Sequence, residues 1–181
     1  MDLTEHWISS EVIASGGMLT VRRDLVRLQN GHTSNREYVM HPGAVAVVPI
    51  LPNGHVVLER QFRYPLHQVF IELPAGKIDA GEDVLVTGQR ELLEETGYTA
   101  TEWIKLGHQY PCIGYSNEII HMYLARGLQA GPHQRDEDES LEVFEASYAD
   151  CLSMIQNGQI TDGKTIVALL LAEQYLQKTS V

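Results

Sequence analysis

The order of apolar and polar positions divides the chain into strand-like runs, one strongly helical segment, further strand-like runs and two closing helices. Two early runs, MLTVRRDLVRL and SNREYVM, flank Asn30-Gly31, a strong short-range hairpin signal. GAVAVVPI is continuously apolar, as expected of a strand buried on both faces. A PNG turn follows, then the strand candidates HVVLERQF and VFIEL. From Asp83 to Thr96 the period becomes helical. At about 100° per residue, Leu85, Val86, Gln89, Leu92 and Leu93 gather on one side, with Glu91, Glu94 and Glu95 opposite and Gly97 ready to end the helix. TEWIKLGHQY and NEIIHMYLA read as strands; the polar loop QAGPHQRDEDES separates them from a further strand, LEVFEAS. Helices are expected over roughly Tyr148 to Asn157 and Gly163 to Gln177. The second is capped by Asp162 and apolar at Ile166, Val167, Leu170, Leu171 and Leu176. Strands, helix, strands, helices: the order predicts a mixed α/β or α+β domain.

Length and composition narrow the classes. A chain of 181 residues suits one domain, or one domain with a modest extension, and can bury a real core. With 44% hydrophobic and 20% charged residues it is ordinary globular protein. The net charge of −11 argues against nucleic acid or an anionic membrane as the main partner. A small anion remains admissible, because bound Mg²⁺ can reverse the local sign. Cys112 and Cys151 form no CxxC and read as reduced or buried thiols. The start MDLTEHWISS lacks a signal peptide's basic and apolar regions, and TIVALLLA is too short to span a bilayer. A soluble cytoplasmic protein is the expectation.

The segment RELLEETGY, Arg90 to Tyr98, breaks several local rules together. Glu91 and Glu95 are like charges four apart, costing about 0.2–0.5 kcal/mol. Carboxylates near a helix C-terminus cost about 0.3–1 kcal/mol more. Gly88 in mid-helix costs about 1 kcal/mol against Ala, and leaves room beside the carboxylate face for close approach by ligand or backbone. A solvated acidic face would explain an isolated Glu-Glu pair; such a concentration of broken rules belongs at functional sites. Carboxylates one turn apart suit hard divalent cations such as Mg²⁺ or Mn²⁺, which also take phosphate oxygens. The residues themselves thus point to a divalent-metal site serving a phosphate-containing ligand.

Gly76 to Tyr98, GKIDAGEDVLVTGQRELLEETGY, resembles the Nudix box: Gly, five residues, Glu, seven residues, Arg-Glu, an aliphatic, any residue, Glu-Glu, any residue, Gly, an aliphatic. Gly76, Glu82, Arg90, Glu91, Leu92, Glu94, Glu95 and Gly97 all match in register, and Tyr98 departs mildly at the last position. HPGAVAVVPI, ERQFRYP, ELPAGKIDAGE and DGKTIVALLL extend the likeness to the ADP-ribose and ADP-sugar pyrophosphatase branch, from about Arg36 to Leu171. The resemblance implies an α/β fold, the Nudix α/β/α sandwich with an N-terminal β-strand extension. Residues 1–40 would form that extension, serving dimerisation and substrate contacts, and 41–181 the Nudix hydrolase domain. It also implies a homodimer with N-terminal strand exchange, and two or three Mg²⁺ per site, with Mn²⁺ as the alternative ion.

Carried over by position, the resemblance makes the Ala75 carbonyl and the Glu91 and Glu95 carboxylates metal ligands. Glu94 would be a ligand or a partner just outside the metal. Arg90 would orient the glutamates, Glu82 would tie loop to helix, and Gly76 and Gly97 would be structural. Arg36 and Glu37 would contact the nucleotide, Arg63 the diphosphate and Glu118 the terminal sugar. In the acidic run Asp136 to Ser140, Glu137 aligns with the base that deprotonates the attacking water and Glu139 with a further metal ligand; either could be that base, and a solvated loop is the plain alternative. Ile113 stands where these pyrophosphatases typically carry Pro. The implied reaction is hydrolysis of the diphosphate bond of a nucleoside diphosphate sugar, ADP-ribose giving AMP and ribose 5-phosphate. GDP-mannose, another ADP-sugar and a dinucleotide are the alternative substrates, and a non-catalytic ADP-ribose-binding sensor is the alternative class. The eight His residues form no HExxH, and the chain has no GxSxG elbow and no Walker-type loop.

Overall fold

A computed structural model describes residues 2–131 and 140–179. The chain forms two compact units, Met1–Gly43 with Tyr110–Ile119, and Ala44–Gln109 with Ile120–Val181.

In the first unit, β1 (His6–Ser15), β2 (Thr20–Arg27) and β3 (Thr33–Met40) form an antiparallel meander in sequence order. The β2–β3 hairpin turns at Asn30-Gly31 as expected, with Gly31 at φ +83°, a value that favours glycine. Val39 N–H donates to the Tyr115 carbonyl at 2.8 Å, attaching the 110–119 segment to β3. This sheet covers little of its own apolar surface: Trp7 is 66% and Val12 56% exposed.

The second unit contains β4 (Ala44–Pro49), β5 (His55–Arg63), β6 (Gln68–Glu72), β7 (Ala75–Lys77), α1 (Val84–Thr96), β8 (Tyr98–Thr99), β9 (Glu102–Gln109), β10 (Ile120–Arg126), β11 (Gln129–Ala130), β12 (Leu141–Ser147), α2 (Tyr148–Gln156) and α3 (Gly163–Thr179). A mixed sheet runs β7-β4-β10-β9, with β4 and β10 parallel; an antiparallel sheet runs β12-β5-β6, and β8 pairs with β11. Alternation along β4 builds both sides of the core. Val45 and Val47 pack with Leu92, Tyr123 and Ala125 beneath α1. Ala46 and Val48 pack with Met122 and Leu124, residues of β5, and Ala168, Leu169 and Ala172 of α3. Helix, sheet and helix thus stack as an α/β/α sandwich. No helix among the described residues is long and apolar enough to cross a membrane.

In two helices the buried face only partly matches the one read from the wheel. On α1 the buried residues are Thr87, Gly88, Glu91, Leu92, Glu95 and Thr96, while Val86 is 49% exposed. The reason is Gly88: a Cβ there would stand 3.0 Å from Val45 Cγ1, 3.5 Å from Val47 Cγ2 and 3.7 Å from Trp103. The missing side chain admits the sheet rather than a ligand. With the helix so close, its flanking carboxylates turn inward and are hydrogen-bonded instead of solvated. On α3 the most deeply buried residues are Thr165, Ala168, Leu169 and Ala172; Ile166, Val167, Leu171 and Leu176 pack against the same core as expected, and Leu170 departs at 42% exposed. Helix ends match the sequence better: Asp83 accepts from Leu85 N–H at 2.9 Å, and Gly97 closes α1 at φ +75°.

Candidate metal and phosphate site

The carboxylates of α1 meet the backbone of β7. Glu95, 2% exposed, accepts at Oε2 a hydrogen bond from Ala75 N–H at 2.9 Å. Glu91, 8% exposed, lies directly over Gly76, where an added Cβ would stand 1.9 Å from the Glu91 carboxyl carbon. Only glycine leaves space for that carboxylate. Two buried acids are therefore stacked along the β7 backbone, oxygen donors of the kind hard divalent cations take.

Arg90 organises the remaining charges. Its Nε and Nη2 donate to the two oxygens of Glu82, both at 3.0 Å. Its Nη1 donates to Glu91 at 2.8 Å and to Glu94 at 2.9 Å, and Nη2 also reaches the Lys77 carbonyl at 3.2 Å. Glu91 is thus compensated by its sequence neighbour. Hydrogen bonds from Arg90, then from Thr87, bring the Glu82 carboxyl down to about 2, and the same Glu82 pair holds the Arg90 guanidinium above its ordinary range. A cavity of about 270 Å³ opens here, lined by Ala75, Gly76, Lys77, Asp79, Glu91 and Glu94 among others. Among the described residues, no three His, Cys, Asp or Glu side chains converge to hold an ion by themselves. The donors that fit a metal are accordingly Glu91, Glu95 and backbone carbonyls, with other positions left to substrate, water or further residues.

Arg63, at the end of β5, is anchored on Glu72, with Nε to Oε1 at 2.7 Å and Nη2 to Oε2 at 2.8 Å. That fork raises its pKa, opposed by burial and reinforced by the charges of Glu72, Glu59 and Glu95. Arg36, Glu37 and Glu118 belong to the other unit. There Arg36 grips Glu5 at 2.6 and 2.8 Å, Glu37 accepts from Arg23 at 2.8 Å, and a Glu118 oxygen lies 3.7 Å from His41 Nδ1. Ile113 in that unit is 84% exposed. Glu137 and Glu139 lie outside the described residues. Two charged residues escaped the sequence reading, buried Glu72 and Lys164 beside it. Lys164 carried a signal: a cation in the first turn of a helix opposes the macrodipole and asks for an anionic partner.

A NUDIX domain model matches residues 40–167. The chain is 41% identical over 177 residues to an ADP-ribose pyrophosphatase of Bacillus subtilis (strain 168), covering 97% of this chain and 94% of that one. It is 42% identical over 177 residues to a methanol dehydrogenase activator of Bacillus methanolicus, covering 96% and 92%. A GDP-mannose pyrophosphatase of Yersinia enterocolitica is 36% identical over 143 residues, covering 72% and 73%. A crystal structure of an ADP compounds hydrolase superposes with a TM-score of 0.89 over 99% of this chain and 98% of that one, at 23% identity, and shares its fold.

Proposed function

This chain belongs to the NUDIX family, and from that premise we propose that it hydrolyses the diphosphate bond of a nucleoside diphosphate sugar, ADP-ribose foremost, yielding AMP and ribose 5-phosphate. The observation that carries the reading is the pair of buried carboxylates, Glu91 and Glu95, stacked on the Ala75-Gly76 backbone. Two buried carboxylates side by side favour a bound cation, and Glu91 sits where only glycine leaves space for it. Glu91, Glu95 and the Ala75 carbonyl would hold Mg²⁺, with Glu94 at the rim and two or three ions in all. When bound, such ions neutralise phosphate charge and lower the pKa of water. The chain's own groups do the rest. Arg90 fixes Glu91 and Glu94 in direction through the Glu82 anchor. Arg63 offers a guanidinium to the diphosphate. Glu137, with Glu139 as the alternative, takes the proton of the attacking water.

The first unit would supply Arg36 and Glu37 for the nucleotide and Glu118 for the sugar, in a homodimer with exchanged N-terminal strands. The apolar exposure of Trp7 and Val12 supports a second copy as the cover for that sheet. Relatives of both pyrophosphatase kinds and the Ile113 substitution keep GDP-mannose as a second substrate to be tried. The cytoplasm is the expected compartment. A panel of ADP-ribose, other ADP-sugars, GDP-mannose and dinucleotides, incubated with Mg²⁺ and scored by released phosphomonoester, tests the reading. Fastest turnover of ADP-ribose is expected, and cleavage of none would refute it.

A further inference from the structure

Between β5, β6 and the first turn of α3 lies a charged cluster for which the hydrolysis above assigns no role beyond Arg63. Glu72 is 2% exposed, and cations hold its carboxylate from two sides. Arg63 takes both oxygens with its fork, and Lys164 Nζ donates to Oε2 as well as to Asp162 Oδ2 at 3.0 Å. Burial would raise the Glu72 pKa, but Arg63 and Lys164 together bring it below the ordinary carboxylate value, so the group is ionised near neutrality.

Three successive residues of the stretch from Glu72 to Gly76 are pinned through their backbone. Leu73 N–H donates to Thr165 Oγ1 at 2.9 Å, and Pro74 O accepts from Val47 N–H at 2.9 Å. Ala75 N–H donates to Glu95 at 2.9 Å, and Gly76 lies under Glu91. One rigid strap therefore joins the anchor of Arg63 to the α1 glutamates. Arg63 spends Nε and Nη2 on Glu72, while Nη1 has no hydrogen-bond partner among the described residues and the side chain is 40% exposed. The direction of that spare donor is set by Glu72, and the direction of Glu72 by the strap and Lys164.

We propose that Glu72 and Lys164 are positioning residues for substrate binding: Lys164 fixes the Glu72 carboxylate, which holds Arg63 so that Nη1 faces a phosphate oxygen of the nucleoside diphosphate. The inference rests on the hydrolase reading above. A cluster that only stabilised the fold would move the melting temperature and leave phosphate binding alone.

The test compares the wild-type full chain with Lys164→Met, Arg63→Ala and the two combined. The readouts are KM and kcat on ADP-ribose, the Kd of ADP with Mg²⁺ by calorimetry, and the thermal midpoint. Lys164→Met is expected to raise KM and the ADP Kd about tenfold, the size of one charged hydrogen bond, with a smaller change in kcat. In the Arg63→Ala background it is expected to add nothing further, because the group it positions is gone. Should Lys164→Met unfold, Glu72→Gln with Lys164→Met removes the buried pair as a unit and is expected to weaken ADP equally. Unchanged KM and ADP affinity in a folded variant, or additive losses in the Arg63→Ala background, would overturn the proposal. A wild-type chain that cleaves no nucleotide sugar would refute the hydrolase reading instead, and the ADP titration would still decide the positioning.

Discussion

Glu91 and Gly76 form a single device, although fifteen positions separate them. The glycine is required because the acid occupies the space of its missing side chain, as near as 1.9 Å to the Cβ an alanine would bring. Gly76→Ala is expected to push the Glu91 carboxylate aside while the fold persists, since the displaced group is the far end of a flexible chain. Turnover should fall at least about 100-fold, and the circular dichroism spectrum should not change. Glu82 gives a pH-dependent expectation. Its folded value of about 2 lies below the ordinary 4.5, so its contribution to stability is complete above about 4.5 and disappears as pH falls toward about 2. Glu82→Gln should therefore flatten the acid limb of the stability curve across that window, as followed by chemical denaturation. At this scale the box glutamates could be read from spacing alone. Glu72 and Lys164 could not, because 92 positions separate them and only the packing of α3 against β4, β9 and β10 brings them together.

At the scale of elements, the ends of α1 were legible and its face was not. Asp83 and Gly97 are local chemistry, an acceptor for orphan N–H groups and a residue at home at positive φ. The buried face depends on partners outside the helix. A wheel ranks Gly and Glu as outward-facing, yet Gly88 meets Val45 and Glu95 meets the Ala75 amide. Gly88→Ala tests this packing. Helix propensity alone predicts a gain of about 1 kcal/mol. Close contact with three side chains of β4 and β9 reverses the sign, and a net loss of about 1 kcal/mol in urea denaturation is expected. On α3 the apolar face was largely legible, with Ile166, Val167, Leu171 and Leu176 on the core, and Leu170 alone gives way to Ala168 and Ala172.

For the molecule as a whole, the fold class was legible because the motif register carries a family, and the family an architecture. Assembly depends on a second chain, which the sequence pattern does not carry. The apolar residues on β1 predict that the protein sediments as a dimer at twice 20.3 kDa, and that Trp7→Lys with Val12→Lys shifts it toward monomer. A wild-type monomer at micromolar concentration would contradict the exchange of strands. The central claim, that the buried acids of α1 hold the metal that serves hydrolysis, is tested most directly by AMP release from ADP-ribose across a Mg²⁺ titration, wild type against Glu95→Gln. The amide keeps an oxygen for the Ala75 N–H, so the variant is expected to melt at or above the wild-type temperature, with turnover reduced by at least about 100-fold and a weaker Mg²⁺ dependence. Equal turnover and equal Mg²⁺ dependence in the two proteins would contradict the account.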